Sequence, residues 1–191
     1  MHAIETGNVF GAVAIRWAAM TSPTPDCRHG AGPTRLSVDT TRRALRIVFA
    51  GGGTGGHLFP GIAIAREFEA RNSATRIIFI STGNPMEVSL LSKSNFELNR
   101  ISAAGIKGRG IWNQLKSVLK IPVGILQSMH ILYPFAPDLA IGLGSYSAGP
   151  VIIAAWLGRI PVVLHEQNRL PGITNRILSR FAKRIYISFK D

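Results

Sequence analysis

The sequence predicts an α/β fold in which a parallel sheet is covered by helices on both faces. From residue 45 onward, short apolar runs alternate with longer segments whose apolar residues recur at helical spacing. Strands that are apolar throughout are typical of parallel sheets buried on both faces. The first apolar run also leads directly into a glycine-rich loop and then a helix. Joined by right-handed crossovers, such units form a Rossmann-like, doubly wound sheet.

The predicted strands are short runs rich in Ile, Val, Leu and Phe, with turn residues at their ends. The third of them is the weakest, because polar residues interrupt it. In chain order the strands span residues 45–50, 76–81, 96–101, 138–142, 161–165 and 184–188.

Helices are expected between these strands. Pro60 suits the first turn of the first helix, where a missing backbone N–H costs nothing. Pro122 is expected to interrupt the longest helix, because proline clashes with the preceding turn. The predicted helices span residues 60–70, 86–93, 111–132, 150–157 and 171–182.

Residues 1–44 are expected to be a disordered or mistranslated extension ahead of a domain that spans residues 45–191. Residues 21–44 are rich in Pro, Gly, Ser, Thr and Arg and show no sustained periodicity, so burial cannot offset their ordering entropy. Residues 9–20 are apolar but short and contain Arg16, which predicts neither a signal peptide nor an anchor. The sequence stops soon after its last strand, so we expect a truncated protein.

The chain has a net charge of +12, most of it within residues 45–191. A basic surface attracts phosphates in general, whether of nucleic acids, anionic lipids or nucleotides. Cys27 is the only cysteine, which excludes an intramolecular disulfide and disfavours a cysteine-built metal site. No apolar run reaches the roughly 18 residues that are needed to span a bilayer.

The loop from Gly51 to His57 reads GGGTGGH and follows the first strand. Its glycines satisfy a dinucleotide-binding pattern, but no acidic residue precedes Glu87 after the second strand, which disfavours NAD. His57 and Leu58 stand where a P-loop needs Lys and Ser or Thr, which disfavours an ATPase. Two interpretations remain. The loop holds a phosphate or a sugar with His57 at its mouth, or it is only a tight turn and His57 caps the helix.

Two further polar loops follow later strands, GLGSYSAGP from Gly142 and HEQN from His165. The carboxyl ends of parallel strands meet at one edge of the sheet, so the three loops are expected to form one site. Each has a purely structural alternative. Tyr146 could anchor its loop, Glu166 could cap the next helix, and His165 could be a buried core histidine.

The segment 106–125 combines apolar residues at helical spacing with Trp112 and several lysines. This composition suits a helix lying on an anionic membrane surface. An ordinary amphipathic helix packed on the sheet would show the same pattern.

GGGTGGHLFP, GLGSYSAGP and HEQN, in this order and at these intervals, closely resemble the MurG family over residues 45–191. These are peripheral enzymes that add GlcNAc to lipid I to make lipid II. The resemblance implies that the chain is the N-terminal, acceptor-side and membrane-side half of a GT-B fold, without the C-terminal donor domain. It also implies a location at the cytoplasmic face of the bacterial plasma membrane.

The resemblance assigns roles by motif. His57 is the expected general base, and Thr54, Gly55, Gly56 and Asn168 are expected to contact the donor. Tyr146, Glu166 and Gln167 are expected to line the cleft. The residues expected to associate with the membrane are Ile111, Trp112, Leu115, Lys116, Leu119 and Lys120.

The family's reaction is an inverting displacement at the anomeric carbon that releases UDP. The expected partners are UDP-GlcNAc, the lipid-linked MurNAc-pentapeptide acceptor and an anionic membrane surface. No metal and no cofactor are expected. A neutral imidazole at a helix start suits a general base, and loop N–H groups suit the diphosphate charge.

The sequence departs from the family's pattern in its second loop. Ser145 stands where a glycine is usual, and Ala148 where a serine is usual, with Ser147 displaced by one position. The departures put fine acceptor contacts in question, but not the resemblance.

Two other function classes would explain part of the sequence. A non-catalytic membrane or acceptor subunit of a two-chain GlcNAc transferase would have a similar N-terminal chain, but such chains carry a membrane helix. A nucleic-acid-binding module would explain the charge, but the basic residues are scattered and no recognition motif is present, so no nucleic-acid partner is expected.

Overall fold

The structure is a computed structural model that describes residues 3–6, 43–103 and 111–189, with side chains of 3–6 and 111–120 excluded. The strands in these ranges are β1 (Ala3–Thr6), β2 (Arg46–Ala50), β3 (Arg76–Ser81), β4 (Glu97–Arg100), β5 (Leu139–Gly142), β6 (Val162–Glu166) and β7 (Arg184–Ile187). The helices are α1 (Gly55–Arg71), α2 (Pro85–Lys93), α3 (Ile111–Phe135), α4 (Ala148–Leu157) and α5 (Ile173–Leu178).

All the described strands pair in parallel, in the order β1-β7-β6-β5-β2-β3-β4. The chain proceeds outward from β2 through β3 to β4, and then returns to build β5, β6 and β7 on the other side. The direction therefore reverses between β2 and β5. The helices that follow these two strands lie on opposite faces of the sheet, α1 in one apolar layer and α4 in the other, and open α/β sheets bind ligands at such a point. The predicted fold class is confirmed.

The core consists of two apolar layers, one on each face of the sheet. Successive side chains of a strand point to opposite faces, so Ile47 and Phe49 enter one layer while Val48 and Ala50 enter the other. The Phe49 and Phe79 rings stack in the first layer with their centroids 4.9 Å apart. Burial on both faces explains why these strands are apolar throughout.

Three helices differ by more than two residues from the sequence prediction, and one of them, α5, spans only Ile173–Leu178 where residues 171–182 were predicted. Helix α1 begins at Gly55, ahead of the predicted start, so Pro60 lies inside the helix. Helix α3 continues through Pro122 and ends at Phe135. A proline removes one backbone hydrogen bond, but packing of the helix on its neighbours can outweigh that local cost.

Strand β1 has no counterpart among the predicted elements. It pairs with β7 at the edge of the sheet, Ala3 opposite Arg184 and Thr6 opposite Ile187. Residues 1–2 and 7–42 of the extension lie outside the described residues, so the prediction that residues 1–44 precede the domain as a disordered extension stays a prediction.

Candidate functional site

The three glycine-rich or polar loops meet at the carboxyl edge of the sheet, around the reversal between β2 and β5. The loop after β2 turns sharply because Gly51 and Gly53 have φ angles of 115° and 81°, which favour glycine. Its Gly52 N–H donates to Ser145 Oγ of the loop after β5, at 2.9 Å. A Cβ added at Gly53 would lie 3.7 Å from Cε1 of Tyr146, so the Tyr146 ring flanks the glycine loop.

Thr54, Gly55 and Gly56 form the start of α1. Thr54 is the extended N-cap residue, and its side chain makes no capping hydrogen bond. Gly55 and Gly56 are the first two helical residues, so their N–H groups point away from the helix rather than into it. These three residues place the positive end of the helix dipole at the edge of the sheet where the three loops meet.

His57 follows in the same turn and is half-buried. Its Nδ1 makes a side-chain hydrogen bond with Nε2 of Gln167, which also donates to the Leu143 carbonyl oxygen at 3.3 Å. Burial lowers the pKa of His57 below its ordinary value, and the nearby Glu166 charge opposes that shift in part. The imidazole is therefore neutral near pH 7.

Glu166 ends β6 and is buried. Its carboxylate accepts hydrogen bonds from residues of the segment that follows β6. Oε1 accepts from the Asn168 N–H and from Asn168 Nδ2, both at 2.9 Å. Oε2 accepts from the Gly172 N–H at 3.1 Å and from Asn175 Nδ2 at 2.9 Å. Burial alone would raise the pKa of Glu166, but these hydrogen bonds outweigh it and lower the pKa. Glu166 thereby shapes the loop on which Asn168 is exposed.

His165 lies deeper than the other site residues. Its Nε2 hydrogen-bonds Ser188 Oγ at 3.2 Å, and burial lowers its pKa to about 4. His165 is 1% exposed, which agrees with the alternative that it is a buried core histidine.

Glu87 is not among the site residues predicted from the sequence, although it lies directly behind the glycine loop. It occupies the third position of α2 and forms a capping box with Asn84. The pattern Asn-x-x-Glu ahead of an apolar segment was the available signal. Nothing in the local sequence indicates that the same carboxylate also reaches Gly53.

The six residues predicted to contact the membrane all belong to α3, but their side chains lie outside the described residues. In the described ranges, no helix is long and apolar enough to cross a bilayer. The same ranges contain no group of three His, Cys, Asp or Glu side chains that could hold a metal ion.

Comparison with known proteins supports the resemblance. A transferase from Syntrophus aciditrophicus (strain SB), named UDP-N-acetylglucosamine–N-acetylmuramyl-(pentapeptide) pyrophosphoryl-undecaprenol N-acetylglucosamine transferase, is 46% identical over 147 residues, covering 77% of this chain and 41% of the relative. A relative of the same name from Myxococcus xanthus (strain DK1622) is 40% identical over 147 residues, which are 38% of that relative. The chain thus spans about two fifths of the length of these relatives.

Solved structures agree with the sequence relatives. The crystal structure of Acinetobacter baumannii MurG matches with a TM-score of 0.65 and 32% identity, over 76% of this chain and 41% of that chain. The similarity to the MurG family is thereby confirmed. Residues 47–187 match the glycosyltransferase family 28 N-terminal domain. This chain therefore belongs to glycosyltransferase family 28 and contains the N-terminal domain of that family.

Proposed function

We propose that this chain is the acceptor-side half of an inverting hexosyltransferase that transfers GlcNAc from UDP-GlcNAc to undecaprenyl-pyrophosphoryl-MurNAc-pentapeptide, which converts lipid I to lipid II. The observation that carries the proposal is the neutral His57 at the start of α1, held by Gln167 where the three loops converge. The names of the relatives point to the same substrates.

In this proposal His57 is the general base. Gln167 occupies Nδ1, which leaves Nε2 as the ring nitrogen that takes the proton from the acceptor hydroxyl. The role requires a proton on Nδ1. A Gln167 amide turned by half a rotation would accept that proton through its carbonyl oxygen and would give up its hydrogen bond to the Leu143 carbonyl oxygen. The N-terminal end of α1 disfavours the imidazolium, as the base role needs.

The other site residues bind and orient the substrates. Thr54, Gly55 and Gly56 offer a hydroxyl and helix N-terminal N–H groups to the donor, whose diphosphate gains negative charge as the bond breaks. Asn168 contacts the donor from the third loop, and Tyr146 lines the cleft together with Glu166 and Gln167.

A hybrid enzyme tests this proposal. Residues 45–188 would replace the matching N-terminal section of the Syntrophus aciditrophicus relative, and GlcNAc transfer would be measured. We expect transfer by the hybrid, and a loss of about a hundredfold or more in kcat for His57→Asn, since general bases contribute on that order. His130→Asn, at an exposed histidine on α3, is the matched control. We expect the 191-residue chain alone to transfer nothing, because the donor-side half is supplied only in the hybrid.

Two outcomes of the hybrid experiment would contradict this proposal. Full kcat in the His57→Asn hybrid would remove His57 as the base. If the hybrid is inactive while the 191-residue chain still binds vesicles, the non-catalytic membrane or acceptor subunit is favoured instead.

We further propose that α3 associates with the anionic cytoplasmic face of the bacterial plasma membrane. The described part of this helix supports it, because several apolar side chains are exposed. Leu126 is 66% and Tyr133 is 90% exposed, and Val123 and Met129 are exposed beside them. They extend the apolar and basic pattern of residues 111–120 along the same helix, and the net charge of +12 favours an anionic surface.

A further inference from the structure

The carboxylate of Glu87 is completely buried, at 0% exposure, beneath the glycine loop. Both of its oxygens act as acceptors, as in an ionised carboxylate. Oε1 accepts from Ser81 Oγ at 2.8 Å and from the Gly53 N–H. Oε2 accepts from the N–H groups of Gly83 at 2.6 Å and Asn84 at 2.9 Å. One side chain therefore joins the loop after β3 to the loop after β2.

A row of hydroxyls continues from this carboxylate to the loop after β5. Ser81 Oγ lies 3.0 Å from Ser147 Oγ, which lies 2.8 Å from Ser145 Oγ. Ser145 Oγ in turn accepts from the Gly52 N–H at 2.9 Å. The row therefore begins and ends on adjacent residues of the glycine loop, and it includes both serines at which the sequence departs from the family's pattern.

The two ends set the direction of every hydrogen bond in the row. A carboxylate only accepts and a backbone N–H only donates, while each hydroxyl has a single proton to give. Ser81 must therefore donate to Glu87, Ser147 to Ser81, and Ser145 to Ser147. Hydrogen bonds aligned in one direction polarise and strengthen one another.

The glycine loop also has no space to move toward this row. A Cβ added at Gly52 would lie 2.4 Å from Glu87 Oε1 and 2.8 Å from Ser81 Oγ. One added at Gly51 would lie 2.9 Å from Ser145 Oγ. The Gly51 N–H donates to the Ile80 carbonyl oxygen at 3.0 Å. The N–H groups of Gly51, Gly52 and Gly53 thus all donate hydrogen bonds within the protein.

We propose that Glu87 is a positioning residue that acts through Ser81, Ser147 and Ser145 to hold Gly52 and Gly53 turned inward. Ligand oxygens then meet the N–H groups of Gly55 and Gly56 at the start of α1, not those of the preceding glycines. The inference rests on the proposed function, since it assumes that a diphosphate-bearing substrate binds at this loop.

Amide hydrogen exchange in the 191-residue chain tests the positioning role. Ser147→Ala removes one hydroxyl from the middle of the row, and Glu87→Gln replaces an acceptor with a donor. We expect exchange to accelerate about tenfold at Gly52 in the first variant and at Gly53 in the second, as for the loss of one hydrogen bond. Exchange at the core residue Phe79 should stay unchanged in both.

Ser92→Ala and Glu97→Gln, at exposed positions on α2 and β4, are the matched controls. Unchanged exchange at Gly52 and Gly53 in both test variants would overturn the proposal. If Glu87→Gln fails to fold, the Ser147→Ala result alone decides, because that change removes only one atom.

A titration separates this inference from the proposed function. Inorganic pyrophosphate and UDP-GlcNAc would be added to the isotope-labelled chain. We expect amide resonances of Gly55 and Gly56 to shift more than those of Gly52 and Gly53, and the reverse order would overturn the proposal. If no resonance in this group shifts, the proposed function is contradicted, while the exchange rates still decide the positioning role.

Discussion

At the scale of single residues, His57 lies where burial and a nearby carboxylate act on its imidazole in opposite directions. Burial is the larger influence and lowers the pKa, while the Glu166 charge raises it. Glu166 can stay charged because Asn168, Asn175 and Gly172 donate to it. A neutral base beside a fixed negative charge is suited to accept a proton during reaction and then to be stabilised as a cation.

His165 makes stability depend on pH. Burial lowers its pKa from 6.5 to about 4, so between these values the unfolded chain binds more protons. The contribution of the neutral His165 to the free energy of unfolding is complete above about pH 6.5 and is lost as the pH falls toward 4. We expect urea denaturation to show that the contribution of His165 to the free energy of unfolding falls by roughly 2 kcal/mol between about pH 7.5 and about pH 5.

His165→Gln should weaken that pH dependence, while His130→Gln, at an exposed position, should preserve it. Equal slopes for the wild type and the His165→Gln variant would contradict this account. His57 adds to the wild-type slope in the same direction, because its pKa is also lowered.

At the scale of elements, α3 depends on close packing near its middle. A Cβ added at Gly124 would lie 2.6 Å from the Ser102 carbonyl oxygen and 3.1 Å from Pro150 Cβ. The absence of a side chain allows α3 to approach both the backbone after β4 and the start of α4. This tertiary packing accounts for a helix that continues past Pro122, where local propensity predicts an interruption.

Gly124→Ala should therefore destabilise the fold. Alanine favours a helix by about 1 kcal/mol over glycine, but overpacking costs about 1–3 kcal/mol and the contact is with backbone. Gly149→Ala is the matched control, because a Cβ there meets nothing within 4 Å. We expect thermal denaturation to show a lower Tm for the first variant and an equal or higher Tm for the second. A Tm for Gly124→Ala at or above that of the wild type would contradict the packing account.

The exposed face of α3 supports a separate prediction about membrane binding. Leu126→Glu removes an apolar side chain and adds a negative charge, so binding to vesicles with anionic lipid should fall about tenfold. Leu170→Glu is the control, since Leu170 is 80% exposed but lies after β6. Cosedimentation at low and high salt would measure both, with duplex DNA as a competitor. Equal losses for the two variants would argue against α3 as the contact.

At the scale of the whole molecule, both core layers are built from residues 45 onward. The extension contributes β1 at one edge, and Arg43 forms an ion pair with Asp138 at 2.9 Å. We expect a chain that begins at Arg43 to fold, because it keeps both core layers and the Arg43–Asp138 ion pair and loses, of the described elements, β1 at the edge of the sheet. Urea denaturation would measure this. Failure of the shortened chain to fold would show that residues 1–42 are essential to the domain.

Local periodicity determined much of this protein. Apolar runs and helical spacings are properties of neighbouring residues, so the α/β class and most strand positions follow from the sequence. The three glycine or polar motifs also follow, because a turn of positive φ needs glycine wherever it occurs. The topology of a parallel sheet then places the motifs at one edge.

Only the tertiary structure decided which atoms meet at that edge. Ser81 and Ser147 are 66 positions apart, and His57 and Gln167 are 110 apart. Their contacts depend on strand order and on side-chain direction, neither of which is a local property. From the sequence alone, the glycine loop could hold a phosphate or a sugar, or it could be only a tight turn. Tertiary structure turned the N–H groups of Gly52 and Gly53 inward, because a buried carboxylate and a row of hydroxyls offer acceptors that satisfy them.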